Sequence, residues 1–268
     1  MDIAAYRAVT AHLTAWAAST PEVLALIAQG SMAERSRLPD EWSDHDFWVV
    51  AVDGAAEPLR TSTDWLPDPD RIVLHVRETD HGVKVVYDDG HLLEPAIFEV
   101  AELAVTRTNE YRVLVDKAGL ADQMAAIAAA TTEEAAHRQP TDGFLFGQFV
   151  TNLLVGVGRW ARGEHQSGRV FVKQHAVAHL LELAARHCSP QAGVADNLDP
   201  NRRIEILFPE LARKLSAALT EDVPRAAEAL LALGEWVAPD LFSANEDAVR
   251  VVGATVGAVA DTSRSAGN

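Results

Sequence analysis

The sequence predicts an α/β unit followed by an all-helical one, and three observations carry that prediction. Between Val23 and Val115 the apolar residues come in short runs rich in β-branched and aromatic side chains, as strands do. Past about residue 118 those runs give way to long segments with apolar positions three and four apart, the helical period. Between two of the short runs stands Asp88-Asp89-Gly90, and Asp-Gly supplies the positive φ angles of a tight hairpin.

Residues 4–18 place Ala4, Ala5, Ala8, Leu13, Trp16 and Ala17 on roughly one helical face, and Thr20-Pro21 stops that helix. Val23 to Ala28 is a compact strand ending in Gly30-Ser31. Asp46 to Val52, Arg71 to Val76, Lys84 to Tyr87 and Leu92 to Val100 follow, which makes about five strands in a mixed sheet. Helices are expected over Ala121 to Ala136, Gly143 to Arg162, Val172 to His187, Arg203 to Leu219, Val223 to Val237 and Asn245 to Ala260. The small, polar stretch from Thr262 to Asn268 reads as a frayed end. The expected domains are 1–118 and 119–268.

The 268 residues carry 39 Asp and Glu against 23 Lys and Arg, a formal charge of −16. Such a surface repels phosphate backbones at long range, which argues against a nucleic-acid partner. The one cysteine, Cys188, supports neither a disulfide framework nor a cysteine zinc site. The beginning of the chain has Asp2 and Arg7 inside a periodic pattern rather than a signal-peptide core, and no apolar run reaches the roughly 18 residues of a membrane span. A cytoplasmic protein is expected.

Chemistry concentrates in the stretch AQGSMAERSRLPDEWSDHDFWVV, residues 28–50. Gly30 lets the backbone approach a phosphate, and Ser31 with the amides of a short following helix can donate to phosphate oxygens. Residues two apart on a strand share a face, so Asp44 and Asp46 project together while His45 points away. Two carboxylates held together repel unless a cation lies between them, and hard oxygen ligands suit Mg²⁺. Glu94 is the third candidate, because it shares a face with Leu92, Ala96 and Phe98 and is costly there by several kcal/mol unless paired or metal-bound. Glu99 lies on the other face. His175 and His179 are four apart, half of a zinc site, but no third ligand follows and they read as ordinary core or surface histidines.

Gly30-Ser31, then Ser43-Asp44-His45-Asp46 running into an apolar strand, resemble the signature of the nucleotidyltransferase superfamily of the polymerase-β-like kind. DGHLLEPAIFEVAEL at 89–103, residues 151–183 and RRIEILFPELARKL at 202–215 look similar to antibiotic nucleotidyltransferases of the lincosamide- or aminoglycoside-modifying type. The resemblance spans residues 22–235. It implies a nucleotidyltransferase-fold catalytic domain, followed by a helical substrate-binding or dimerisation domain. It also implies one or two Mg²⁺ on Asp44, Asp46 and Glu94, with Glu94 as ligand or general base. ATP or another NTP would be the co-substrate, a small-molecule hydroxyl the acceptor, and a homodimer the assembly. Met32 stands where the family often has an arginine, and Pro95 where an apolar strand residue is usual. Arg35, Arg37 or Lys84 are the candidates to replace that arginine at the triphosphate, and Lys173 is a further one. The rival readings are nucleotidylylation of a protein or RNA, as in toxin-type relatives, and a nucleotide-binding regulator without catalysis.

Overall fold

The computed structural model describes residues 2–35, 38–137, 140–193, 199 and 201–266, with side chains described up to 262. The chain divides into two compact units, residues 1–137 and 138–268.

The first unit is built on a six-stranded sheet. Its strands are β1 (Val23–Gln29), β2 (His45–Ala51), β3 (Ile72–Arg77), β4 (Val83–Tyr87), β5 (Leu92–Glu99) and β6 (Tyr111–Asp116), in the spatial order β3-β4-β5-β2-β1-β6. Only β2 and β5 run parallel; every other neighbouring pair is antiparallel. Helix α1 (Ile3–Ser19) opens on an Asp2 side-chain cap and lays Leu13 and Ala17 against one face of the sheet, with Leu26, Phe47, Val49, Leu93 and Ile97. The short α2 (Ala56–Thr61) adds Ala56 to that core. Trp16 and Trp65 stack at 4.5 Å on the same side.

The opposite face holds Ala25, Ile27, Val50 and Phe98, and α3 (Ala121–His137) covers them with Met124. That burial is why the first unit runs on to His137 rather than ending at the loop near residue 118. Asp116 turns the chain from β6 into α3. Its carboxylate accepts from the amides of Ala118, Gly119, Leu120 and Ala121 at 2.7–3.2 Å.

The sheet has one strand more than the sequence reading predicts. In β6, Arg112 and Asp116 interrupt the apolar run and every residue is at least partly accessible. Its place comes from pairing with β1, a tertiary effect that local pattern does not carry.

The second unit contains α4 (Asp142–Ala161), α5 (His165–Val170), α6 (Val177–His187), α7 (Ile204–Leu207), α8 (Pro209–Thr220), α9 (Val223–Val237), α10 (Pro239–Ser243) and α11 (Glu246–Ala266). Leu145, Phe149, Leu153 and Val157 of α4 meet Leu180, Leu211, Leu230 and Val256 in its core. The helix expected from Val172 starts earlier, at His165, and passes through a π-helical segment, Phe171–Ala176, before α6. The helix expected from Arg203 is broken at Phe208. Pro209 takes the first turn of α8, where its missing N–H costs nothing. Among the described residues no helix is long and apolar enough to cross a membrane.

Candidate active site

Strand register assembles the site. Asp46 on β2 pairs directly with Glu94 on the parallel β5. Asp44 precedes the strand, delivered by a tight turn in which the Trp42 amide (2.9 Å) and the Ser43 hydroxyl (3.1 Å) donate to the Asp40 carboxylate. One carboxylate oxygen from each of Asp44, Asp46 and Glu94 lies within 4.8 Å of the others, and all three residues are partly accessible. The three side chains that the sequence reading groups together are therefore neighbours in space.

Behind the acids the chain is pinned by a buried aromatic cluster. His45 is fully buried and faces away from Asp44 and Asp46, as strand alternation requires. Its Nδ1 lies 2.7 Å from His91 Nε2, and its Nε2 lies 3.1 Å from the Tyr6 carbonyl and 3.0 Å from the Thr10 hydroxyl. Tyr6 stacks on the imidazole at 3.8 Å and donates its hydroxyl to the Asp44 carbonyl at 3.0 Å. Burial, reinforced by His91, drives the His45 ring down to about 3, so it is neutral. Burial also pushes the Tyr6 hydroxyl up to about 12, opposed by its interaction with Ser31 and helped by the negative charges of Asp44 and Asp46. Tyr6 was not singled out by sequence because an aromatic in a first helix reads as core.

The Gly-Ser turn is a single 3₁₀ turn, Gly30–Ala33, rather than the start of a longer helix. Glu34 ends it in the left-handed region at φ 51°, and Arg112 holds it there, donating to the Met32 carbonyl at 3.2 Å and the Glu34 carboxylate at 3.0 Å. Gly30 itself has φ +50°, and a β-carbon on it would stand 3.2 Å from Asp46 Oδ2. Backbone and carboxylate approach closely because no side chain intervenes. Ser31 is buried at 3% exposure, and its hydroxyl lies near the Tyr6 hydroxyl.

The basic candidates separate. Lys84 lies at the acids: its ammonium is 3.0 Å from Glu94 and 2.8 Å from Glu78, and those two bonds, Glu78 first, hold its pKa above the usual lysine value. Arg35 is exposed and donates to the Tyr111 carbonyl at 3.2 Å, on the β6 side of the turn. Arg37 lies outside the described residues. Lys173 belongs to the second unit, where it donates to the carbonyls of Leu219 (2.8 Å) and Glu221 at the end of α8. That helix end accounts for Lys173, and the other site candidates all lie in the first unit. Arg112 is the basic residue the sequence reading omits, because its strand is not legible locally. His179 is shifted down chiefly by burial, and no cluster of three metal-ligand side chains other than the acidic one occurs among the described residues.

The donor set fits a hard divalent cation. Three carboxylates offer only oxygen, and their proximity is electrostatically unfavourable until a positive charge joins them. Lys84 supplies one such charge to Glu94. A buried serine hydroxyl and a glycine cradle lie on the adjoining turn, where the backbone comes close to Asp46.

The fold and site thus define an α/β unit carrying an acidic, oxygen-only centre at its two parallel strands. No family model and no curated protein matches the chain. Among solved structures it is similar to an aminoglycoside 6-adenyltransferase from Bacillus subtilis, at 12% identity, covering 94% of this chain and 97% of that one, with a TM-score of 0.38. It is also similar to the E. coli MS115-1 CdnC:HORMA-deltaN complex, at 14% identity, covering 86% and 88%, with a TM-score of 0.29. Likeness at this level lends neither a residue role nor a substrate to this chain.

Proposed function

We propose that this chain is a cytoplasmic, Mg²⁺-dependent nucleotidyltransferase that moves a nucleoside monophosphate, AMP from ATP in the first instance, to a hydroxyl of a small molecule. The observation that carries the reading is the meeting of Asp44, Asp46 and Glu94 within 4.8 Å beside a Gly-Ser turn. Asp44 and Asp46, with Glu94, would hold the metal. When bound, Mg²⁺ neutralises charge on the α-phosphate and on the departing pyrophosphate.

The chain's own residues supply the rest. Gly30 opens space for phosphate at the turn, and the Ser31 hydroxyl donates to a phosphate oxygen. The acceptor hydroxyl oxygen attacks the α-phosphorus, the bond from that phosphorus to the bridging oxygen breaks, and pyrophosphate leaves. Glu94 takes the hydroxyl proton, work for which a positioned base contributes about 10²- to 10⁴-fold. Holding both oxygens in line removes much of the remaining barrier. Tyr6 and His45 fix the backbone that presents Asp44 and Asp46.

The resemblance of residues 151–183 and 202–215 to antibiotic-modifying enzymes supports an antibiotic as the acceptor, a lincosamide or an aminoglycoside, and a homodimer as the assembly. The test is mass spectrometry of an antibiotic panel incubated with protein, ATP and Mg²⁺. A gain of one nucleoside monophosphate on a panel member is the expected result. Wild-type protein and the Asp44→Asn, Asp46→Asn double variant binding MgATP equally would remove the metal assignment.

A further inference from the structure

We propose that Gln29 is a nucleotide-contacting residue, its side-chain amide donating a hydrogen bond to a phosphate oxygen of the nucleotide beside Asp46. This rests on the nucleotidyl-transfer reading and adds to it a residue that neither composition nor motif singles out.

Register places Gln29 in the row of the acids. Ala28 pairs with Phe47, so the next rung sets Gln29 beside Asp46, and Asp46 in turn pairs with Glu94. On its other side Gln29 pairs with Tyr111. Residues directly opposite one another across a sheet share a face, so Gln29 and the two carboxylates project from the same side.

One end of the amide is anchored. The Thr108 hydroxyl donates to Gln29 Oε1 at 2.6 Å. Thr108 is itself buried, and its amide donates to Thr131 Oγ1 at 3.2 Å; Thr131 then bonds the Ile127 carbonyl within α3. With Oε1 held inward, Nε2 carries the donor capacity, and it is buried with no partner. An orphaned buried donor at this turn asks for an acceptor-rich group, and phosphate has oxygens to spare. A neutral amide suits the position: a lysine there would pair with Asp46 and compete with the cation, whereas an amide donates to phosphate without doing so.

Gln29→Glu separates the alternatives, since glutamate keeps the size and the acceptor for Thr108 but replaces the donor with a negative charge. Gln29→Met removes the donor without adding a charge. Both are compared with wild type and with the Asp44→Asn, Asp46→Asn double variant by calorimetric titration of Mg²⁺ plus a non-hydrolysable ATP analogue, using the full chain, alongside thermal melting. The expected result is binding at least tenfold weaker in Gln29→Glu and several-fold weaker in Gln29→Met, read in whichever keeps the wild-type melting temperature. Affinity within twofold of wild type in that variant, while the double variant loses binding, overturns the role of Gln29 and leaves the nucleotidyl-transfer reading standing. A wild-type protein that binds no Mg²⁺-nucleotide overturns both.

Discussion

Asp46 Oδ2 and the α-carbon of Gly30 are close enough that a single methyl group would press on the carboxylate, since the β-carbon would stand 3.2 Å away. The turn and the acid are thus one packing unit. Gly30→Ala also forces a left-handed φ on a residue with a side chain, at about 1–2 kcal/mol. The expected outcome is a lower melting temperature together with weaker Mg²⁺-nucleotide binding. A variant that melts lower and binds normally would show the contact to be incidental.

Removing charge from the site should separate stability from function. Three carboxylates within 4.8 Å repel one another in metal-free protein. The Asp44→Asn, Asp46→Asn variant is therefore expected to melt at or above the wild-type temperature without metal, and to lack the upward shift expected of wild type with Mg²⁺. Differential scanning calorimetry with and without Mg²⁺ reads both. A metal-free melting point well below wild type contradicts the repulsion.

Glu94→Gln keeps the shape and the strand while removing the proposed base. Turnover of ATP is expected to fall by about 10²-fold or more. Lys84, bonded to Glu94, should matter less: Lys84→Met leaves Glu78 and Glu94 in water-accessible positions and is expected to change turnover far less than Glu94→Gln. Steady-state kinetics of the two variants side by side gives the comparison, and equal losses would deny Glu94 its special place.

The buried imidazole gives stability a pH slope. His45 is held near 3 in the folded chain, against about 6.5 when unfolded, so between those values the unfolded chain binds the extra proton. Stability is then complete above about pH 6.5 and declines by up to about 1.4 kcal/mol per unit as pH falls toward 3. His91, lowered by its own burial, acts in the same sense. Urea titrations from pH 7 to 4.5 are expected to show a shallower slope in His45→Gln than in wild type. An unchanged slope would place the dependence elsewhere.

The Asp116 carboxylate, with four amides around it, predicts a local effect remote from chemistry. Asp116→Ala is expected to cost about 1 kcal/mol by loss of the cap, with MgATP binding retained. A drop in binding of more than a few-fold would tie α3 to the site by some route other than stability.

What could be read in the sequence follows from which features are local. Strand alternation is local, so Asp44 and Asp46 were legible as projecting together and His45 as pointing away, whereas Glu94 meets them through the pairing of β2 with β5. β6 was not legible, because its neighbours in space, not its own residues, make it a strand. The end of the first unit depends on Met124 finding Ile27 and Phe98, a contact far apart in sequence. The π segment through Lys173 hides inside a helical period, and the lysine there turns out to serve carbonyls at the end of α8. Gln29 lies just past the run read as a strand, and the pairing of Ala28 with Phe47 is what sets it near Asp46.

The Tyr6 contacts have a practical corollary for anyone handling the protein. The first helix is a brace for the segment that carries the acids, since the Tyr6 hydroxyl and carbonyl grip Asp44 and His45 across nearly forty residues of chain. Trimming the opening segment, or loading it with a bulky fusion, is expected to loosen the acids while leaving the sheet intact. Purification handles belong at the other terminus.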